Sequence, residues 1–181
     1  DYAENSFSDS YWALKTVTYP DGTPSSADDN PRQSYSYLND PDNPFLLTSI
    51  TDERGVRYAE WTYDKKGRAT SSQHAGDADK WLFAYDDASN TVTVTNPLGR
   101  QTVYTYRRVQ GAIRQLMSVK GVATTSCDQS DTVYAYDGNG FRSQATDAEG
   151  RITRWTRNSR GLPLSETRAF GTPAATVRSM E

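Results

Sequence analysis

Tyr63-Asp64-Lys65-Lys66-Gly67-Arg68 decides the fold, because it comes back. Tyr85-Asp86-Asp87-Ala88-Ser89-Asn90 and Tyr136-Asp137-Gly138-Asn139-Gly140-Phe141 repeat its opening. A sister phrase alternates with it: Asp52-Glu53-Arg54-Gly55-Val56, Asn96-Pro97-Leu98-Gly99-Arg100 and Asp147-Ala148-Glu149-Gly150-Arg151. A recurring phrase of this length means one supersecondary unit used many times, which fixes an architecture before any site is considered.

The turns act as a ruler. Marks of the Tyr-Asp type at Asp64, Asp86, Arg107, Asp137 and Asn158 lie 22, 21, 30 and 21 residues apart. The long step spans Gly111 to Ser130 and predicts a longer hairpin or an insertion that holds Cys127. Asp or Asn at the first turn position can accept hydrogen bonds from its own backbone two residues on. Gly three residues later, as at Gly67 or Gly161, supplies a positive φ that a Cβ resists. The spacing therefore predicts that Gly67 has a positive φ.

Between the turns lie Thr91–Thr95, Gln101–Tyr106, Thr132–Tyr136 and Ile152–Trp155, β-branched and aromatic with period-two alternation. That is the pattern of half-buried strands. Helical periodicity is nowhere sustained, and turns every ten to twelve residues mean an all-β chain. Each unit holds two turns and two short strands. Residues 48–170 form the repeat region, with the insertion at 111–131. Residues 1–47 are crowded with breakers such as Pro20-Asp21-Gly22 and Asn39-Asp40-Pro41-Asp42-Asn43-Pro44. Trp12–Tyr19 and Ser34–Leu38 still read as strands there, so the segment is a degenerate repeat with long loops or a linker. Residues 171–181 read as a tail or the start of a further repeat. His74, in Ser71-Ser72-Gln73-His74-Ala75-Gly76, falls where a sister turn is expected.

Composition bounds the rest. The 181 residues carry a net charge of -3 and a pI near 5.2, without the basic footprint of a nucleic-acid binder. Mean hydropathy is -0.82 with 35% hydrophobic residues, so any core is thin, and the twelve Tyr supply much of what can be buried. Such a polar chain could be disordered, but disordered chains are poor in aromatic and β-branched residues and this one is not. No apolar run approaches the ~18 residues of a membrane span. No basic region followed by an apolar stretch marks a secretion signal. A first residue of Asp rather than Met is what a processed or excised chain would show. One cysteine, Cys127, makes no internal disulfide, and with one histidine, His74, it supplies too few ligands for a zinc site. No cofactor is expected.

The phrases Tyr63-Asp64-x-x-Gly67-Arg68, Tyr136-Asp137-x-x-Gly140-Phe141, Thr91-to-Arg100 and Ala145-to-Arg151 resemble the YD repeats of the Rhs family. The resemblance covers roughly residues 33–170. It implies tandem hairpins that wind into a curved, spiralling antiparallel sheet, a piece of a hollow β-shell. It also implies that such a shell encloses a variable C-terminal toxin, delivered by secretion systems, often type VI, in competition between bacteria. Related repeats occur in insecticidal toxin complexes and in teneurins at animal cell surfaces. The expected partners are the remainder of the shell and its toxin cargo, with a secretion-system spike, a chaperone or glycans as further candidates. The expected location is secreted, injected or at the bacterial surface. An Rhs core often ends in a self-cleaving aspartyl-protease segment around Asp-Pro-x-Gly-Leu. Asn96-Pro97-Leu98-Gly99-Arg100 departs from it at both ends and sits in step with the repeat, so it reads as an ordinary turn.

Each tempting residue has a plainer role beside it. Tyr63-Asp64, Tyr85-Asp86 and Tyr136-Asp137 could form ligand rows, but recurrence at every unit favours Tyr packing on the sheet and Asp holding the turn. His74 has no Gly-x-Ser-x-Gly elbow to serve. Asp137-Gly138-Asn139-Gly140 starts like a calcium loop and fails at Phe141 and Arg142. Paired carboxylates for glycoside hydrolysis could come from separate strands, since 23 acids are scattered through the chain. Cys127 could bridge to a partner; a free thiol is the plainer reading. Trp12, Trp61, Trp81 and Trp155 could line a sugar-binding face or pack the inner face of the sheet. The reading is thus a structural, non-enzymatic shell segment. The alternative is a surface adhesion or carbohydrate-binding module.

Overall fold

The computed structural model describes residues 2–4, 12–20, 30–109, 114–123 and 130–180; Cys127 lies outside them. It divides into two units, Asp1–Phe83 and Ala84–Glu181. The described residues are β-strands joined by short turns, with one 3-10 turn at Ala75–Asp77 and no α-helix.

In the first unit β1 (Tyr2–Glu4) pairs antiparallel with β2 (Trp12–Leu14). Next come β3 (Thr16–Thr18), β4 (Arg32–Tyr37), β5 (Leu47–Thr51), β6 (Arg57–Tyr63), β7 (Ala69–His74) and β8 (Ala78–Asp86). Each of these pairs antiparallel with the next in sequence. In the second unit β9 (Thr91–Thr95), β10 (Gln101–Arg108), β11 (Arg114–Gly121), β12 (Asp131–Tyr136), β13 (Arg142–Thr146), β14 (Ile152–Arg157), β15 (Pro163–Arg168) and β16 (Thr176–Ser179) do the same. Within each unit strand order follows sequence order, as expected of short connections between neighbouring strands.

Register sorts the side chains onto two faces, because partners across a ladder point the same way. In the first unit one face carries Val17, Tyr35, Ile50, Ala59, Trp61 and Trp81, and the other carries Ser34, Ser36, Ser49, Glu60, Thr62 and Ser71. The second unit repeats the division, with Val92, Tyr104, Val119, Tyr134 and Trp155 on one face and Thr93, Thr105, Ser118, Thr146 and Thr156 on the other. Hydroxyls pair across strands on the polar face: Thr62 Oγ1 lies 2.6 Å from Ser71 Oγ, and Thr156 Oγ1 2.7 Å from Ser165 Oγ. On the apolar face Arg142 stacks over Trp155 at 4.7 Å and Tyr134 at 5.3 Å.

Burial is shallow, as the composition predicts. Among the described residues the buried apolar side chains are Ala59, at 4% exposure, and Pro44, while Trp81 stays 42% exposed and Leu98 86%.

Two expected turns differ. Arg107 is no turn residue: it lies inside β10, opposite Gln115. It has no side-chain oxygen to accept backbone amides and no Gly three residues on, so nothing closes the chain there. The sister turn expected around His74 is a 3-10 turn after it, with positive φ at Gly76 and Asp77. In the stretch expected as an insertion, β11 pairs with both β10 and β12. In the C-terminal tail β16 pairs with β15.

Candidate functional site: a bulged, stapled hairpin

The six turns headed by Asp52, Asp64, Asn96, Asp137, Asp147 and Asn158 share one geometry. At Asp64 the backbone N–H donates to Arg68 O at 2.9 Å, and Gly67 N–H donates to Asp64 O at 3.0 Å. The carboxylate Oδ1 takes the amides of Lys66 and Arg68 at 2.9 and 3.0 Å. Asn96 does the same with its amide oxygen, which accepts from Leu98 and Arg100 at 3.0 and 2.9 Å. Asp52, Asp137, Asp147 and Asn158 each accept the corresponding amides two and four residues on. Each turn glycine, at 55, 67, 99, 140, 150 and 161, has φ between +73° and +85°. At Gly67 a Cβ would meet a second obstacle, since it would stand 2.5 Å from Asn43 Oδ1.

Arginine closes three of these turns from outside. Arg54 Nη2 lies 2.6 Å from Asp52, Arg68 Nε 2.8 Å from Asp64, and Arg151 Nε 2.7 Å from Asp147. These hydrogen bonds hold the three aspartates below the usual carboxylate range. Asp86 is also held low, first by the Ser89 hydroxyl at 2.6 Å. Its turn has no Gly three residues on; instead Asn90 takes the positive φ, at +54°. Tyr85, the residue before it, stands within β8.

The tyrosines mark a second regularity. Register slips by one residue at Tyr37, Tyr63, Tyr106, Tyr136 and Arg157, each at the end of its strand or near it. Such β-bulges bend a strand and increase its twist. The phenol then reaches across to the preceding strand: Tyr63 donates to Leu47 O at 2.6 Å, and Tyr136 donates to Leu116 O at 2.7 Å. Leu47 is the register partner of Tyr37, and Leu116 that of Tyr106. Each of these tyrosines therefore staples the bulge of the unit before it. Tyr37 makes the corresponding bond to Leu14 O at 2.7 Å. Burial raises the phenol pKa of Tyr37 and Tyr63.

Two positions depart from the pattern. Arg107, which stands where a turn Asp would, donates from Nη2 to Gln115 Oε1 at 2.7 Å, and Gln115 Nε2 donates to Gly140 O at 3.1 Å. Gln115, 8% exposed, thus relays between Arg107 and the Asp137 turn. Arg157 replaces the tyrosine; its Nη1 donates to Gly161 O at 3.3 Å and its Nε is buried without a partner. A cleft of about 640 Å³ opens beside the relay, lined by Val109, Arg114, Gln115, Leu116, Tyr136, Gly138, Asn139 and Gly140, with no acid, thiol or imidazole in that lining.

The sequence singled out the turn residues and Tyr63, Tyr85 and Tyr136. It missed Gln115, Tyr37 and the carbonyl acceptors. Tyr37 had a signal in its place at the end of an expected strand; Gln115 had none, because its role depends on what Arg107 fails to do. His74 stacks edge-on with Tyr58 at 5.3 Å between ring centres. Among the described residues no three His, Cys, Asp or Glu side chains cluster as a metal site, and no helix is long and apolar enough to cross a membrane.

These features define a class, the antiparallel hairpin-repeat chain in which each unit is tied to the one before it. Residues 136–173 match the family model of the RHS repeat. Among solved structures it is similar to the crystal structure of TcdB2-TccC3-TEV, with 13% identity, a TM-score of 0.36, and coverage of 86% of this chain and 11% of that one. No curated protein matches it.

Proposed function

We propose that this chain is a length of wall in an Rhs/YD-repeat shell that encloses a C-terminal toxin for delivery against other bacteria or a host. The observation that carries the reading is the repeated hairpin itself: one turn geometry at six positions, and an RHS repeat over 136–173. Every strand of β4–β7 and β10–β15 has a neighbour on both sides, so such a sheet lengthens by adding units. Its work is structural. Strands pair edge to edge, turns and bulges fix register and bend, and the wall separates a cargo polypeptide from its surroundings. Its partners in this reading are the remaining shell repeats and the cargo, and its location is secreted or injected.

The test is protease protection in the native protein that contains these residues. A downstream segment that resists protease until the repeat region is opened supports enclosure. A downstream segment cut as fast as a free peptide, or a native chain of about this size, overturns it. The second reading, a carbohydrate-binding module, draws on the aromatic face with Tyr134, Trp155 and Arg142. Titration against a glycan panel separates the two, since a wall shows no saturable, ring-dependent binding.

A further inference from the structure

The two kinds of turn differ in what lies against their glycines. A Cβ at Gly55, Gly99 or Gly150, in the sister turns, would meet nothing within 4 Å. On the Tyr-Asp side the same position is covered. A Cβ at Gly161 would run into the Phe141 ring, 2.7 Å from Cε1; one at Gly67 would meet Asn43; one at Gly140 would stand 3.4 Å from Gln115 Nε2. In each case the covering side chain comes from the preceding Tyr-type hairpin: Asn43 from the β4–β5 loop, Gln115 from β11, Phe141 from the β12–β13 turn.

We propose that this seating is a latch: the side chain on each Tyr-Asp-side glycine is a positioning residue that couples a hairpin to the one before it, while the sister-turn glycines carry no such contact. At Gly67 and Gly161, where a Cβ would clash, the glycine therefore has two duties. It supplies the positive φ, as at every such turn, and it leaves a bare backbone surface for the neighbour to sit on. The tyrosine staples and bulges lie at the same ends of the strands. The glycine-seated contacts thus lie along one margin of the sheet, while the other margin is joined by ladder bonds and by Arg154 over Phe170. This holds whether or not the sheet encloses anything.

Gly161 and Gly150 separate the two duties, because their φ values are +79° and +77° while only Gly161 is covered. Thermal unfolding of the full chain is expected to show a larger fall in Tm for Gly161→Ala than for Gly150→Ala. Adding Phe141→Ala should remove that excess and leave the Gly150→Ala effect unchanged. Equal falls, or an excess that Phe141→Ala does not remove, would overturn the latch. Hydrogen exchange on Phe141→Ala alone covers the case in which Gly161→Ala does not fold. The amides of Gly161 and Leu162, bonded within the Asn158 turn, should exchange several-fold faster, with Gly150 unchanged. Unchanged protection at Gly161 and Leu162 would sink the proposal.

Discussion

Tyr63 contributes through one atom. Its ring is held by the apolar face, and its hydroxyl spans to Leu47 O at 2.6 Å. Tyr63→Phe keeps the ring and removes the bond, so it should cost about 1 kcal/mol, the usual net value of one such hydrogen bond. Denaturant unfolding checks this; a midpoint equal to the parent's would mean the staple contributes nothing. Gly67→Ala acts by another route, through a φ of +73° and the Asn43 contact. It should cost ~1 kcal/mol or more, and an unchanged melting curve would refute that. The positive φ was legible in the sequence, because the Asp-x-x-Gly spacing demands it. The Asn43 contact was not, because it joins loops from different hairpins.

At the scale of the element, five of the six turns fall into two chemical kinds, with Asp137 outside both as an aspartate that accepts the backbone amides of Asn139 and Phe141. Asp52, Asp64 and Asp147 are anions bonded to arginine, while Asn96 and Asn158 hold the same backbone loop without charge. The pKa values of the three aspartates are lowered by folding. Their contribution is therefore complete above the unfolded value near ~3.9 and is lost as pH falls through the lower folded value. Asp64→Asn should flatten the acid limb of the Tm-versus-pH curve below about pH 4 and leave neutral pH less affected. An acid limb as steep as the parent's would show that this turn does not sense acid. The strands at 91–95, 101–106, 132–136 and 152–155 were legible because their alternation is unbroken between strong turn residues. Arg107 was misread because the ruler gave its place correctly while its chemistry cannot close a turn. The bulges were invisible, since each sits at the end of its strand or near it, where too few residues follow to show the change of phase.

For the molecule at large, strands within each unit contact chiefly their neighbours in sequence among the described residues, as in other repeat chains whose stability is a sum of units and nearest-neighbour terms. Unfolding should then fail the all-or-none test. Variants that keep Trp61 alone, and variants that keep Trp155 alone, should report different denaturant midpoints for the first and second units. Coincident midpoints would show one cooperative block instead.

The scarcity of buried apolar side chains, only Ala59 and Pro44 among the described residues, has a thermal consequence. Heat capacity rises on unfolding chiefly because apolar surface meets water, and an ordinary globular chain gains about 12–15 cal/mol/K per residue. A one-layer sheet with a hydroxyl face has less such surface to release. Calorimetry should return a smaller increment, and with it a broad, shallow stability curve that changes little with temperature.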